Sequence, residues 1–140
     1  MQVDQEQQIS TANTDLEDFL LDLEQVFLNL DSSQDSISQA SSFLSRQQRG
    51  LEPETQAAHA VNLWCGYFLR CPKQKKVAFM YLANDLIVKC FLKKQKGKPV
   101  AVDYHPDFSL CIEQVLKILF GLYEPKTLLK DVYLPILKVI

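Results

Sequence analysis

"MYLANDLIVK", residues 80–89, is apolar almost throughout, yet Asn84 and Asp85 stand at its centre. Short polar side chains compete for backbone hydrogen bonds and disfavour helix interiors. They are also costly to bury without partners. On a 3.6-residue helix, Phe79, Leu82, Ala83, Leu86, Ile87 and Cys90 fall together as a core face. Tyr81, Asn84, Asp85 and Val88 fall on a second stripe at i, i+3, i+4 and i+7, with Lys89 and Leu92 alongside. That placement predicts a shallow groove with polar groups at its floor. A carboxylate there accepts a hydrogen bond, and an amide both donates to and accepts from an extended peptide backbone. The competing reading is that the pair bonds neighbouring helices and fixes their packing. A catalytic aspartate fares worse, because no His, second acid, nucleophile motif or GxxxxGK[ST] loop accompanies it.

Working outward, the same helical period recurs on both sides. Residues 1–13 are polar and aperiodic and read as a lead-in, with the domain spanning 14–140. Thr14 and Glu17 form a capping-box pattern ahead of Leu16, Phe19, Leu20, Leu23, Phe27 and Leu30. Ser32 or Ser33 is placed to cap a second helix carrying Ile37, Ala40, Phe43 and Leu44. Pro53 suits the first position of a third, which presents Ala57, Ala58, Val61, Trp64, Cys65, Phe68 and Leu69. The fourth is expected over roughly 75–92, and "KKQKGKPVAVDYHPD" reads as a loop. Pro106 and Asp107 open a fifth periodic segment, with Phe108, Cys111, Ile112, Val115, Leu116, Leu119 and Phe120. Gly121 and Pro125 punctuate before a last one (Leu128, Leu129, Val132, Tyr133, Ile136), which Pro135 kinks or delays. The pattern predicts an all-α chain of six or seven helices with no sheet.

Composition narrows the classes. The 140 residues suffice for one domain with a real core. No apolar run approaches the length of a membrane span, and the acidic, Gln-rich N-terminus is unlike a signal peptide, so an intracellular protein is expected. Cys65, Cys71, Cys90 and Cys111 are widely spaced, and neither His59 nor His105 stands at ligand spacing from them. Reduced, mostly buried thiols are expected, with no metal and no cofactor. The net charge of -2 conceals a polarity: residues 1–60 carry 11 acids and 2 bases, and residues 61–140 carry 6 acids and 13 bases. Nine bases against the single acid Asp85 lie between Arg70 and Lys98, either as solvated lysines or as a field for an anionic partner.

"FMYLANDLIVKC" resembles the signature helix of the CID family, domains that interact with the C-terminal tail of RNA polymerase II, which carry a "LYLANDVIQNS"-like segment. "LDSSQDSISQASSFLSRQQR" (30–49) is similar to the family's stretch ending the first helix and opening the second, and "AAHAVNLWCGYF" (57–68) to its third helix. The resemblance covers residues 14 to about 138 in matching order. It implies a right-handed superhelix of about seven to eight helices, related to VHS and ENTH domains. It also implies a nuclear module that binds phosphorylated YSPTSPS heptads and links transcription to RNA 3′-end processing and termination. On this reading Asp85 accepts from the heptad tyrosine hydroxyl, Asn84 bonds the peptide backbone, Tyr81 and Val88 line the groove, and Ser33 and Gln34 match the family's Ser-Gln at the second helix's start. No enzymatic activity is expected.

The chain also departs from the family pattern. Family members commonly grip the heptad phosphate with an arginine near the start of the penultimate helix, and here no arginine follows Arg70. Lys126 and Lys130 stand at about that place, and Lys93 and Lys94 are further phosphate candidates. A lysine supplies a point charge without the guanidinium fork. The final helix is expected to be abbreviated or missing near Ile140. The alternative on the same superhelix is a VHS- or ENTH-like trafficking adaptor for ubiquitin, sorting peptides or acidic lipids, with the basic run as its supporting feature. RNA, through other regions, is a further partner left open.

Overall fold

A computed structural model of the protein describes residues 2–48 and 50–122, with side chains for 14–48 and 50–115. Among these residues there are five helices and no strand: α1 (Gln2–Leu28), α2 (Gln34–Ser45), α3 (Pro53–Arg70), α4 (Lys73–Gln95) and α5 (His105–Leu122). The predicted last segment, with Leu128 through Ile136, lies outside the described residues. No described helix is long and apolar enough to cross a membrane.

Two boundaries differ from the sequence reading. α1 begins at Gln2, so Thr14 stands inside the helix rather than at its cap. Aperiodic polar residues still propagate a helix once an amphipathic segment has nucleated it. Gly121 does not end α5, which continues to Leu122. The other termini follow local chemistry. Ser33 caps α2 by accepting from the Ser36 backbone N–H at 3.2 Å, and Pro53 opens α3. α4 closes on Gly97 at φ 68°, with Lys98 N donating to Lys93 O and Gly97 N to Lys94 O, a Schellman pattern that requires the left-handed residue.

Aromatic rings at the junction of α1, α3, α4 and α5 form the centre of the core. Trp64 stacks on Phe68 with centroids 4.9 Å apart, meets Phe108 edge-on at 5.1 Å, and donates its indole N–H to Phe79 O at 3.0 Å. Phe27 packs edge-on against Phe79. The predicted core face of α4 is buried at Phe79, Leu82, Ala83, Leu86 and Cys90, with Ile87 half-buried against it. Ala58 proves exposed, and Gln56 takes the interior position instead. The loop after α4 also contributes to the core, through Val102 and Tyr104, both buried. All four cysteines are free thiols, Cys90 buried and the others half-buried. Burial pushes the Cys71 and Cys90 thiols up, and burial together with the adjoining Cys65 raises that of Cys111.

The basic run turns out to be mostly internal fastening. Lys75 donates to Leu28 O at the end of α1, and buried Lys76 donates to Phe68 O and Leu69 O at the end of α3. Helix C-terminal carbonyls lack intrahelical donors and carry partial negative charge, so ammonium groups satisfy them on both counts. Arg70 folds back on Gly66 O and over the Tyr67 ring, and Lys94 pairs with Asp103.

Candidate functional site

α2 packs along α4. Lys75, in the first turn of α4, holds the end of α1, from which a short link leads into α2. Further along, Lys89 Nζ of α4 donates to Ser41 Oγ of α2 at 2.9 Å. The two helices therefore run in the same sense, and eight residues upstream of that contact on each helix stand Ser33 and Tyr81. The predicted peptide-binding residues thus stand on two adjacent helices, Ser33, Gln34 and Tyr81 at their upstream parts and Val88 next to the Lys89 contact.

Tyr81 and Val88 are 40% and 39% exposed, while Asn84 and Asp85 between them are half-buried. The Asn84 Oδ1 and Asp85 Oδ2 atoms are closed to solvent and accept no hydrogen bond. Buried polar oxygens are nearly always paired, because leaving one unpaired costs about 1–3 kcal/mol. Lys89 Nζ lies 3.0 Å from Asp85 Oδ2, an i,i+4 ion pair, and also donates to Ser41, so the Asp85 oxygen has a cation beside it while Asn84 Oδ1 has no partner. The Asp85 side chain retains 36% exposure. Apolar surface continues past Val88 through the exposed Phe91 and Leu92.

At the α2 end, the Ser33 hydroxyl is occupied as the helix cap, and Gln34 is exposed in the first turn. Asp31 Oδ1 accepts from Ser33 N at 2.8 Å, and Asp31 N donates to Ser36 Oγ at 3.0 Å. Hydrogen bonds from the Ser33 side chain and backbone hold the Asp31 carboxyl below its ordinary 3.8. Its contribution to the link is therefore complete above pH 3.8 and is lost as pH falls through the lower folded value. An NMR titration of the Asp31 carboxyl is expected to give a midpoint below 3.8, and an ordinary midpoint would contradict these bonds.

The phosphate candidates divide. Lys94 is paired with Asp103, Lys93 is exposed at the last turn of α4, and Lys126 and Lys130 lie outside the described residues. Sequence reasoning placed Lys89 beside the stripe but missed its bond to Ser41, a fully buried hydroxyl on another helix. The Asp85–Lys89 spacing was the available signal, since an acid four residues before a base favours pairing on a helix. Among the described residues no cluster of His, Cys, Asp and Glu is arranged to hold a metal ion.

The family model of the CID domain matches residues 20–133. Comparison with curated proteins gave no match, and comparison with solved structures gave none either. The matched span contains α2, α3 and α4 whole, and with them the Tyr81–Asn84–Asp85–Val88 stripe and the Ser33 cap. On that match the chain belongs to the CID family, modules that interact with the C-terminal tail of RNA polymerase II.

Proposed function

We propose that the α2–α4 surface binds phosphorylated YSPTSPS heptads in an extended conformation, in the nucleus, and so links transcription to RNA 3′-end processing and termination. We infer as its frame the superhelix of seven to eight helices that the family resemblance implies; the five helices and absence of strands among the described residues are in keeping with an all-α frame. One observation carries the reading: Asn84 Oδ1 has no partner, and Asp85, 36% exposed, has Lys89 of its own helix beside its Oδ2, on a stripe whose flanks, Tyr81 and Val88, are open to solvent. Acceptors that merely fixed helix packing would have donors on α2 or α5. The exposed part of the Asp85 carboxylate and the half-buried Asn84 amide can instead meet the donors of a ligand, which a tyrosine hydroxyl and backbone N–H groups supply. The basic run offers less to a trafficking adaptor on acidic lipids, because Arg70, Lys75, Lys76 and Lys94 already serve acceptors within the protein.

Fluorescence polarisation with a two-heptad peptide phosphorylated on one serine tests the proposal. Micromolar binding is expected, as suits a transient contact. Asp85→Ala is expected to weaken it by roughly 1–3 kcal/mol, the loss of one hydrogen bond to a charged acceptor. Undiminished affinity in a folded Asp85→Ala protein would remove Asp85 from the site.

A further inference from the structure

Lys89 brings an ammonium to the stripe between α2 and α4. Its Nζ stands 2.9 Å from Ser41 Oγ on one side and 3.0 Å from Asp85 Oδ2 on the other, and the side chain is 43% exposed. An ammonium has three N–H donors. One serves Ser41, and a second faces the Asp85 carboxylate across the ion pair. The third remains for a group arriving from solvent, to which the side chain is 43% exposed. Of the lysines read as phosphate candidates, Lys94 has already been taken by Asp103.

We propose that Lys89 is the phosphate-reading residue of this groove: it fixes the Asp85 carboxylate by charge and donates an N–H to a phosphate on a serine flanking the bound tyrosine. The proposal rests on the tail-binding reading of the same surface. A phosphate brought beside Asp85 alone would meet like charge. The ammonium between them offsets the carboxylate and gives the phosphate a charge-assisted donor. The spacing fits. Asp85 and Lys89 are one helical turn apart, about 6 Å, and adjacent residues of an extended peptide are about 3.3–3.6 Å apart. A serine next to the tyrosine can therefore present its phosphate to Lys89, whereas one four positions along the heptad lies about 13 Å from the tyrosine. A lysine supplies charge without a directional fork, so Asn84 and Asp85 set the register and Lys89 supplies the preference.

The experiment compares the intact chain with Lys89→Met and Lys89→Arg. The probes are two-heptad peptides that are unmodified, phosphorylated on a serine flanking the tyrosine, or phosphorylated on the serine four positions along. The wild type is expected to prefer the flanking phosphate. Lys89→Met is expected to reduce the ratio of phosphorylated to unmodified affinity by roughly threefold to tenfold and to flatten its salt dependence, with Lys89→Arg keeping most of it. Thermal unfolding confirms that each variant is folded. An equal loss for all three peptides would reduce Lys89 to a structural support and overturn the proposal, as would unchanged ratios in Lys89→Met. A wild type that binds none of the peptides would overturn the tail-binding reading itself, and this inference with it.

Discussion

Replacing Trp64 with alanine is expected to lower the unfolding free energy by about 3–5 kcal/mol, the range for removing a fully buried large aromatic. Trp64 is 1% exposed, and its ring contacts Phe68 of its own helix, Phe79 of α4 and Phe108 of α5. No single neighbour can collapse into the space, because the facing rings are held from three directions. The indole N–H bond to Phe79 O is lost as well, although a helical carbonyl tolerates that loss better than an isolated one. Domains of this size have about 5–15 kcal/mol in all, so the variant stands near the edge of folding. Urea denaturation measures the change, and a loss below about 1 kcal/mol would mean that the aromatic junction relaxes far more than close packing allows. Trp64→Phe, which keeps the stacking and removes only the donor and part of the volume, is expected to lose less than half as much.

Gln56→Ala is expected to cost about 2–5 kcal/mol, although it deletes only a polar side chain. Gln56 is fully buried near the start of α3. Its Oε1 accepts from Gln48 N at 2.8 Å, and its Nε2 donates to Arg46 O at 2.9 Å, to Tyr104 Oη at 3.1 Å and, more distantly, to Leu44 O at 3.3 Å. The Tyr104 hydroxyl in turn donates to Leu44 O at 2.6 Å. One amide thus joins the end of α2, the loop before α3 and the loop after α4. Alanine leaves the part-buried Gln48 N without its acceptor and strips Arg46 O of its shorter bond, so that only the 3.5 Å one from Gln48 Nε2 is left. It also empties a fully buried site, and unpaired groups cost more than the bonds themselves contribute. Tyr104→Phe breaks the same network from its far end and is expected to cost about 1–2 kcal/mol. The two changes should combine with a coupling of at least about 0.5 kcal/mol, since they share partners. Strict additivity in a double-mutant cycle would show that the network does not act as a unit.

The helices and their inward faces were legible because burial repeats with the helical period. Ser33 and Pro53 were legible because caps are local chemistry. The stripe on α4 was legible for the same reason as the core: i, i+3 and i+4 spacing determines which side chains share a face. Gln56, Lys76 and Ser41 were not, because each is buried polar and becomes tolerable only through partners elsewhere. Gln56 finds them in two loops, Lys76 at the end of the preceding helix and Ser41 on α4. No window of sequence contains both halves of such a pair. Val102 and Tyr104 sit in a stretch whose Pro and Lys content signals a loop, yet alternation in "KPVAVDY" points alternate side chains inward. The start of α1 was missed because propensity, without an apolar face, carries little information about where a long helix ends.

The aromatic junction also has a consequence for measurement. Trp64 is the chain's single tryptophan, and its indole is enclosed by Phe68, Phe79 and Phe108, on the core side of α4 rather than the groove side. Its emission therefore acts as an internal gauge of folding, blue-shifted while the rings hold and red-shifted when water reaches them. The same enclosure makes it blind to occupancy of the groove, where the resident chromophore is Tyr81. A flat tryptophan signal during a peptide titration would accordingly report an intact core, and the ligand must carry its own label to be seen.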